Sequence, residues 1–181
     1  MRIITGLKKG QKLQTLEGFS VRPTGERTKE AVFSIIQFDI EGRIFLDLFA
    51  GSGQMGIEAV SRGADNAVFI DNNPSCIKVI KNNLKKVNLL DKCEVYNIDY
   101  NIFLKSNTQT FDIVYIDPPY NKNISQDAVF KIAPFMNKWG IIICEINKDE
   151  PFEDFYGEFK LYKTYKYGKS KIVTFRHKDF C

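Results

Sequence analysis

Apolar residues recur along this chain at two spacings. Between residues 43 and 146, short apolar runs (RIFLDLF at 43–49, AVFID at 67–71, CEVYNID at 93–99, FDIVYID at 111–117 and WGIIICEI at 139–146) read as buried strands. They alternate with segments of helical spacing at 54–62, 74–87, 100–105 and 125–137. Strands separated by helices predict a mostly parallel, doubly wound α/β sheet, because parallel neighbours need a crossover of a dozen or more residues. Beyond residue 158, FKLYKTYKYG and SKIVTFRH meet around Gly168 with no room for a helix, which predicts an antiparallel C-terminal hairpin at the sheet edge and seven strands in all. Ahead of the sheet, short β-type runs are broken by Gly6, Gly10 and Gly18. Ala31, Val32, Ile35 and Ile36 then predict a helix over Glu26–Phe38. The expected organisation is a single domain over 1–181, with a β-hairpin and helix extension at 1–40 and a core at 41–181.

Composition narrows the class. The 181 residues are 44% apolar and 27% charged, with no apolar run long enough for a membrane span and no signal-peptide pattern at the start, so a soluble, cytoplasmic protein is expected. Four cysteines at 76, 93, 144 and 181 lack metal-ligand spacing, which predicts reduced thiols and no metal site. His177 is the one histidine, too little for a triad, and is expected to be an exposed residue of a basic tail. The net charge of +4 conceals a basic start and a basic end: residues 1–30 carry seven Lys or Arg against three Glu, and residues 160–178 carry seven against no acid. Interleaved with Tyr162, Tyr165, Tyr167 and Phe175, such segments suit a nucleic acid if they converge on one face.

Three motifs carry chemistry. Asp47-Leu48-Phe49-Ala50-Gly51-Ser52-Gly53-Gln54-Met55-Gly56 ends a strand in a glycine-rich turn and opens a helix, a nucleotide-type loop whose glycines let backbone approach a ligand. The glycine spacing alone fits NAD, FAD and S-adenosylmethionine equally. Asp47 shifts the balance toward S-adenosylmethionine, because a carboxylate inside RIFLDLF needs a compensating partner. The amino group of S-adenosylmethionine supplies one, whereas a dinucleotide pyrophosphate would be repelled. Asp71, twenty residues beyond Gly51, is placed to accept ribose hydroxyls, or else to cap the helix at Pro74. Asp99 ends the third strand where it can meet an adenine amine, with Tyr100 and Phe103 available to pack on the ring.

The third motif, Asp117-Pro118-Pro119-Tyr120, follows the strand FDIVYI. Two prolines stiffen the turn and remove two N–H donors, leaving carbonyls and a carboxylate as acceptors. That set suits an exocyclic base amine, whose lone pair is delocalised into the ring until its hydrogens are drawn toward acceptors. Tyr120 offers a stacking face worth about 1–3 kcal/mol per base. Whether Asp117 also removes a proton is left open by the sequence.

Taken together these residues resemble the RsmD-type methyltransferases, which methylate N2 of a guanine in 16S ribosomal RNA. The likeness covers nearly the whole chain. It includes Met1-Arg2-Ile3-Ile4-x-Gly6, the segment Arg22-Pro23-Thr24-x-x-Arg27-x-Lys29-Glu30-Ala31-Val32-Phe33, the loop Asp47 to Gly53, the Asp117–Tyr120 tetrad and Tyr167-Gly168. The family's last tetrad residue is often Phe; Tyr120 keeps the stacking face. The resemblance implies a Rossmann-like S-adenosylmethionine-dependent methyltransferase fold and cofactor contacts at Asp47, Gly51, Gly53, Asp71 and Asp99. It implies a target guanine held by Asp117, Pro118, Pro119 and Tyr120. Arg22, Thr24 and Arg27 would lie near the mouth against RNA or cofactor. The implied partner is 16S rRNA; a domain this small, with little surface for reading sequence, is expected to meet it in an assembled or assembling small subunit, and to act as a monomer. The same amine chemistry also accommodates an adenine-N6 or cytosine-N4 methyltransferase. DNA readers of that kind usually carry a target-recognition region, for which the chain has no spare length.

Overall fold

The computed structural model describes residues 1–16, 25–119 and 124–181. Helix α1 (Glu26–Ile35) precedes five parallel strands: β1 (Ile44–Asp47), β2 (Asn66–Asp71), β3 (Cys93–Asn97), β4 (Phe111–Ile116) and β5 (Met136–Asn147). Their crossovers contain α2 (Gln54–Ser61), α3 (Pro74–Val87), α4 (Tyr100–Ser106) and α5 (Ile124–Ile132). β6 (Phe155–Tyr156), β7 (Phe159–Tyr167) and β8 (Ser170–His177) add antiparallel strands, giving the order β3-β2-β1-β4-β5-β8-β7-β6 among the described residues. The order reverses between β1 and β4, and a crevice opens there at the strands' C-terminal ends.

The expected doubly wound sheet and closing hairpin are present, with differences at element ends. β6 is an extra two-residue strand pairing Tyr156 with Phe159, too short to leave a periodic signal. β5 begins at Met136 rather than Trp139. Pro134 ends the helical segment early, and Met136 already pairs with Phe111 ahead of a register shift. Helix α1 stops at Ile35, and Phe38, expected inside it, lies exposed beyond its end.

Strand periodicity sorts the core into two layers. Phe45, Phe69, Ile113, Tyr115 and Ile143 pack toward α2 and α3, together with α1's Val32 and Phe33. Leu46, Val68, Val114, Ile116 and Ile142 pack toward α4 and α5. β4 is buried at every position, as a central strand covered on both faces should be.

The N-terminal segment is docked onto the first layer. Residues 3 and 10–11 pair across a narrow loop, with the Ile3 N–H donating to the Gln11 carbonyl (3.0 Å) and the Gly10 N–H to the Ile3 carbonyl (2.8 Å). Gly6, at φ +87°, lies so close to α2 that a Cβ would come within 1.8 Å of the Ser61 carbonyl oxygen. The anchor is Glu58, fully buried on α2. Its Oε2 accepts from the Ile4 N–H (2.8 Å), and its Oε1 accepts from the Thr5 N–H (2.9 Å) and Arg62 Nε (2.9 Å). Lys29, equally buried on α1, places Nζ 3.4 Å from Glu58 Oε2 and donates to the Arg2 carbonyl at 2.6 Å. One carboxylate thus joins hairpin, α1 and α2.

His177 departs from its expected exposure. Its side chain is 13% exposed, its ring meets Phe159 edge-on at 5.8 Å, and its Nδ1 accepts from the Asp179 N–H at 3.3 Å. The chain turns into a short helical segment after β8, and that segment encloses it.

Replacing Glu58 with Ala should cost about 3–5 kcal/mol by urea unfolding, since it strands the buried Lys29 ammonium. Adding Lys29→Met to that variant should recover part of the loss.

Candidate functional site

The loop after β1 is pinned across its neighbours before any ligand is considered. The Leu48 N–H donates to the Tyr115 carbonyl of β4 (3.1 Å), and the Ala50 N–H to the Ile70 carbonyl of β2 (2.9 Å). The Gly51 N–H then donates to Asp71 Oδ2 at 2.8 Å. Gly51 and Gly53 take φ of +53° and +76°, left-handed conformations that turn the chain into α2. Asn83 of α3 steadies the outer edge, donating through Nδ2 to the Ser52 and Gln14 carbonyls, both at 3.0 Å.

Around this loop lies a cleft of about 1330 Å³ at the C-terminal ends of β1, β2, β4 and β5. Asp47, Gly51, Asp71, Asp99, Asp117, Pro118 and Pro119 all line it, and so does Arg27 in the first turn of α1. Gly53 does not reach the cleft; it is buried behind the loop against Ile80. Phe103 packs into the α4/α5 layer near Phe111 and takes no part in the lining. Arg22, Thr24 and Tyr120 lie outside the described residues.

Each carboxylate sits in a different setting. Asp47 is 1% exposed and accepts the Gly56 N–H at 3.3 Å. Burial pushes its carboxyl up to about 7, and the neighbouring charge of Asp71 acts in the same direction. Asp71 accepts the Gly51 N–H on one oxygen and the Asn73 N–H on the other, both at 2.8 Å, and so braces the loop against the β2–α3 turn. The cap of α3 is Asn73, not Asp71. Cys76, buried near Asp71, has its thiol pushed up to about 12, chiefly by burial and then by the charge of Asp71. Asp99 caps α4 by accepting the Asn101 N–H at 2.8 Å while still lining the cleft. The Tyr100 ring packs 5.1 Å from Phe49, forming an apolar wall beside it.

Sequence reasoning passed over two contributors. Tyr115 and Glu145 line the cleft as a hydrogen-bonded pair, the tyrosine hydroxyl donating to Glu145 Oε2 at 2.8 Å. The signal for Glu145 was the one used for Asp47, a carboxylate set inside an apolar run. The β7–β8 turn, Tyr167 to Ser170, forms a further wall. The basic ends of the chain therefore meet at the cleft through Arg27 and Lys169, while Lys160, Lys163 and Lys166 lie along β7.

The arrangement fits a ligand with a cation near Asp47, hydroxyls near Asp71 and a planar group beside the wall, together with a second molecule whose donors meet Asp117. Comparison with known proteins identifies relatives. A family model described as "Conserved hypothetical protein 95" matches residues 1–176. "Putative rRNA methyltransferase YlbH" of Bacillus subtilis is 32% identical over 97% of this chain and 98% of its own length. "Ribosomal RNA small subunit methyltransferase D" of Haemophilus influenzae is 36% identical over 83% of this chain and 81% of its own. The solved structure "Putative methyltransferase yhhF from Escherichia coli" has a TM-score of 0.88, covering 98% of this chain and 97% of that one at 25% identity.

A carboxyl raised from 3.8 to about 7 by folding keeps a proton that the unfolded chain gives up, so its burden on stability is absent below pH 4 and complete above pH 7. Asp47→Asn should therefore melt above the wild type at pH 8 without ligand, by a margin that shrinks as pH falls toward 4. Calorimetry across that range checks it.

Proposed function

The chain belongs to the RsmD-type methyltransferase family, and from that premise we propose that it methylates the exocyclic N2 amine of a guanine in 16S ribosomal RNA, using S-adenosylmethionine. The observation that carries this reading is the opening of the Asp117-Pro118-Pro119 turn into the same cleft as Asp47, Gly51, Asp71 and Asp99. The relatives named for ribosomal RNA support the substrate class, and the amine-accepting turn supports the atom.

The residues present fit the cofactor. Asp47, nearly devoid of solvent, would pair with its ammonium and become fully ionised in doing so. Asp71 spends one lone pair of each oxygen on backbone N–H groups, leaving acceptor sites for ribose hydroxyls. Asp99 and the Phe49–Tyr100 wall would hold the adenine. Bound there, S-adenosylmethionine supplies a methyl group on a positively charged sulfur.

The remaining work falls to the chain's own groups. Asp117 and the Pro118 carbonyl would accept the two amine hydrogens, favouring a pyramidal nitrogen whose lone pair points at the methyl group. Holding both partners in one cleft supplies the proximity on which most of the rate depends. Asp117 would act first as an acceptor, and the proton released on methylation would pass to it or to solvent. Tyr120 would stack on the flipped base. Arg22, Thr24 and Arg27, with Lys169 across the mouth, would meet RNA phosphates, a contact that salt weakens. The small surface available for reading sequence favours a structured particle, assembled or assembling, over free RNA, with a cytoplasmic monomer as the acting form.

Small subunits from cells lacking the protein, incubated with it and labelled S-adenosylmethionine beside DNA and free rRNA, should gain N2-methylguanosine in 16S rRNA alone, identified by mass spectrometry. Asp117→Ala should lower turnover about 100-fold or more, with cofactor affinity changed far less. Methylated adenine or cytosine as the product, or an active Asp117→Ala enzyme, would overturn the assignment.

A further inference from the structure

β4 and β5 run parallel, and their pairing ends at Ile116↔Cys144. The next residue in each case is a carboxylate, Asp117 just past the end of β4 and Glu145 within β5. The register therefore sets these two acids side by side at the sheet's C-terminal end, and both line the cleft. Glu145 is 6% exposed within an apolar strand, where a carboxylate is costly to keep. The Tyr115 hydroxyl, from a side chain 1% exposed, donates to Glu145 Oε2 and restricts its rotamer. A carboxylate offers about four lone-pair positions, so it can serve several donors at once. The cofactor contacts assigned above, on β1, β2 and the start of α4, make no use of Glu145.

What distinguishes the methylatable base amines is their neighbours. The adenine N6 amine is flanked by the ring acceptors N1 and N7, and the cytosine N4 amine has the acceptor N3 beside it. The guanine N2 amine alone has a donor beside it, the N1–H. Two adjacent acceptors match two adjacent donors, whereas a carboxylate facing an adenine or cytosine ring nitrogen sets lone pair against lone pair.

We propose that Glu145 is the residue that selects guanine, accepting the N1–H while Asp117 accepts from N2, with Tyr115 as the positioning residue that orients it. This rests on the guanine-N2 reading and adds a reason for it, since an enzyme for adenine or cytosine gains nothing from an acid at this place.

The test uses 16S rRNA carrying either guanine or 2-aminopurine at the position mapped by the product analysis, assembled into small subunits. 2-Aminopurine keeps the reacting amine but has a bare acceptor at N1. Wild-type enzyme should prefer guanine by roughly 10- to 100-fold in kcat/KM, the range for one good base-edge pair. Glu145→Gln should bind S-adenosylmethionine as the wild type does. It should lose activity on guanine and move the preference toward 2-aminopurine, because the glutamine amide can donate to N1. Tyr115→Phe, which keeps the ring in the core, should weaken the preference without reversing it. A wild-type preference near one overturns the proposal without any variant. So does a Glu145→Gln enzyme that slows equally on both bases, the signature of a merely structural loss. If Glu145→Gln does not fold, an unchanged preference in Tyr115→Phe overturns it. A product other than N2-methylguanosine would instead defeat the underlying reading, an outcome seen with wild type alone.

Discussion

The buried carboxylate of Glu58 is the constraint on which the site's outer wall depends. An acid with no solvent must find donors, and here they come from three parts of the chain: two backbone N–H groups of the hairpin, Lys29 of α1 and Arg62 of its own helix. Burial lowers the pKa of the Lys29 ammonium, and Glu58 above all, with the Arg2 carbonyl and the charge of Glu26, compensates it. Since Lys29 lies two residues from Arg27, the ion pair fixes where the first turn of α1 meets the cleft. The extension is thus part of the machinery, tied in by electrostatics as well as by Ile3 and Leu13 in the core.

Glu58 and Asp47 are both buried acids on the same side of the sheet, and their environments differ in a telling way. Glu58 is ringed by donors, two of them cationic. Among the described residues, Asp47 has one long hydrogen bond, at 3.3 Å, and another acid nearby. The first is a completed structural joint. The second is an environment that suits a bound cation, since burial and the neighbouring charge of Asp71 both raise its carboxyl.

Much of this was legible beforehand. The alternation of strand runs and helical segments is strong because β1, β2, β4 and β5 are buried on both faces or nearly so, and α3 falls at Pro74–Val87 as the spacing predicts. The glycine loop and the Asp-Pro-Pro turn converge because a parallel sheet delivers strand ends to one edge. What escaped was long-range or local beyond periodicity. Lys29 read as one more cation of a basic terminus, and nothing in its neighbours shows that Glu58 waits 29 residues on. Yet α2 is buried along its whole length, so an acid within QMGIEAVS had to be inside. Glu145 was recoverable by that same reasoning. Phe103 was misplaced because a helix of seven residues carries too little pattern to say which side faces the cleft.

Asp47, Asp71, Tyr115 and Glu145 share one parity within their strands: each stands two positions from a residue packed toward α2 and α3. Side chains along a strand alternate strictly, so a single-residue insertion or deletion inside any of these strands would turn its acid or hydroxyl toward the opposite layer, among Ile70, Val114 and Cys144. Substitutions can drift at many positions, but length cannot vary within the central strands without dismantling the cleft. Changes in length are therefore confined to the connections, and the spacing inside each strand becomes as informative about the site as the identity of the residues it carries.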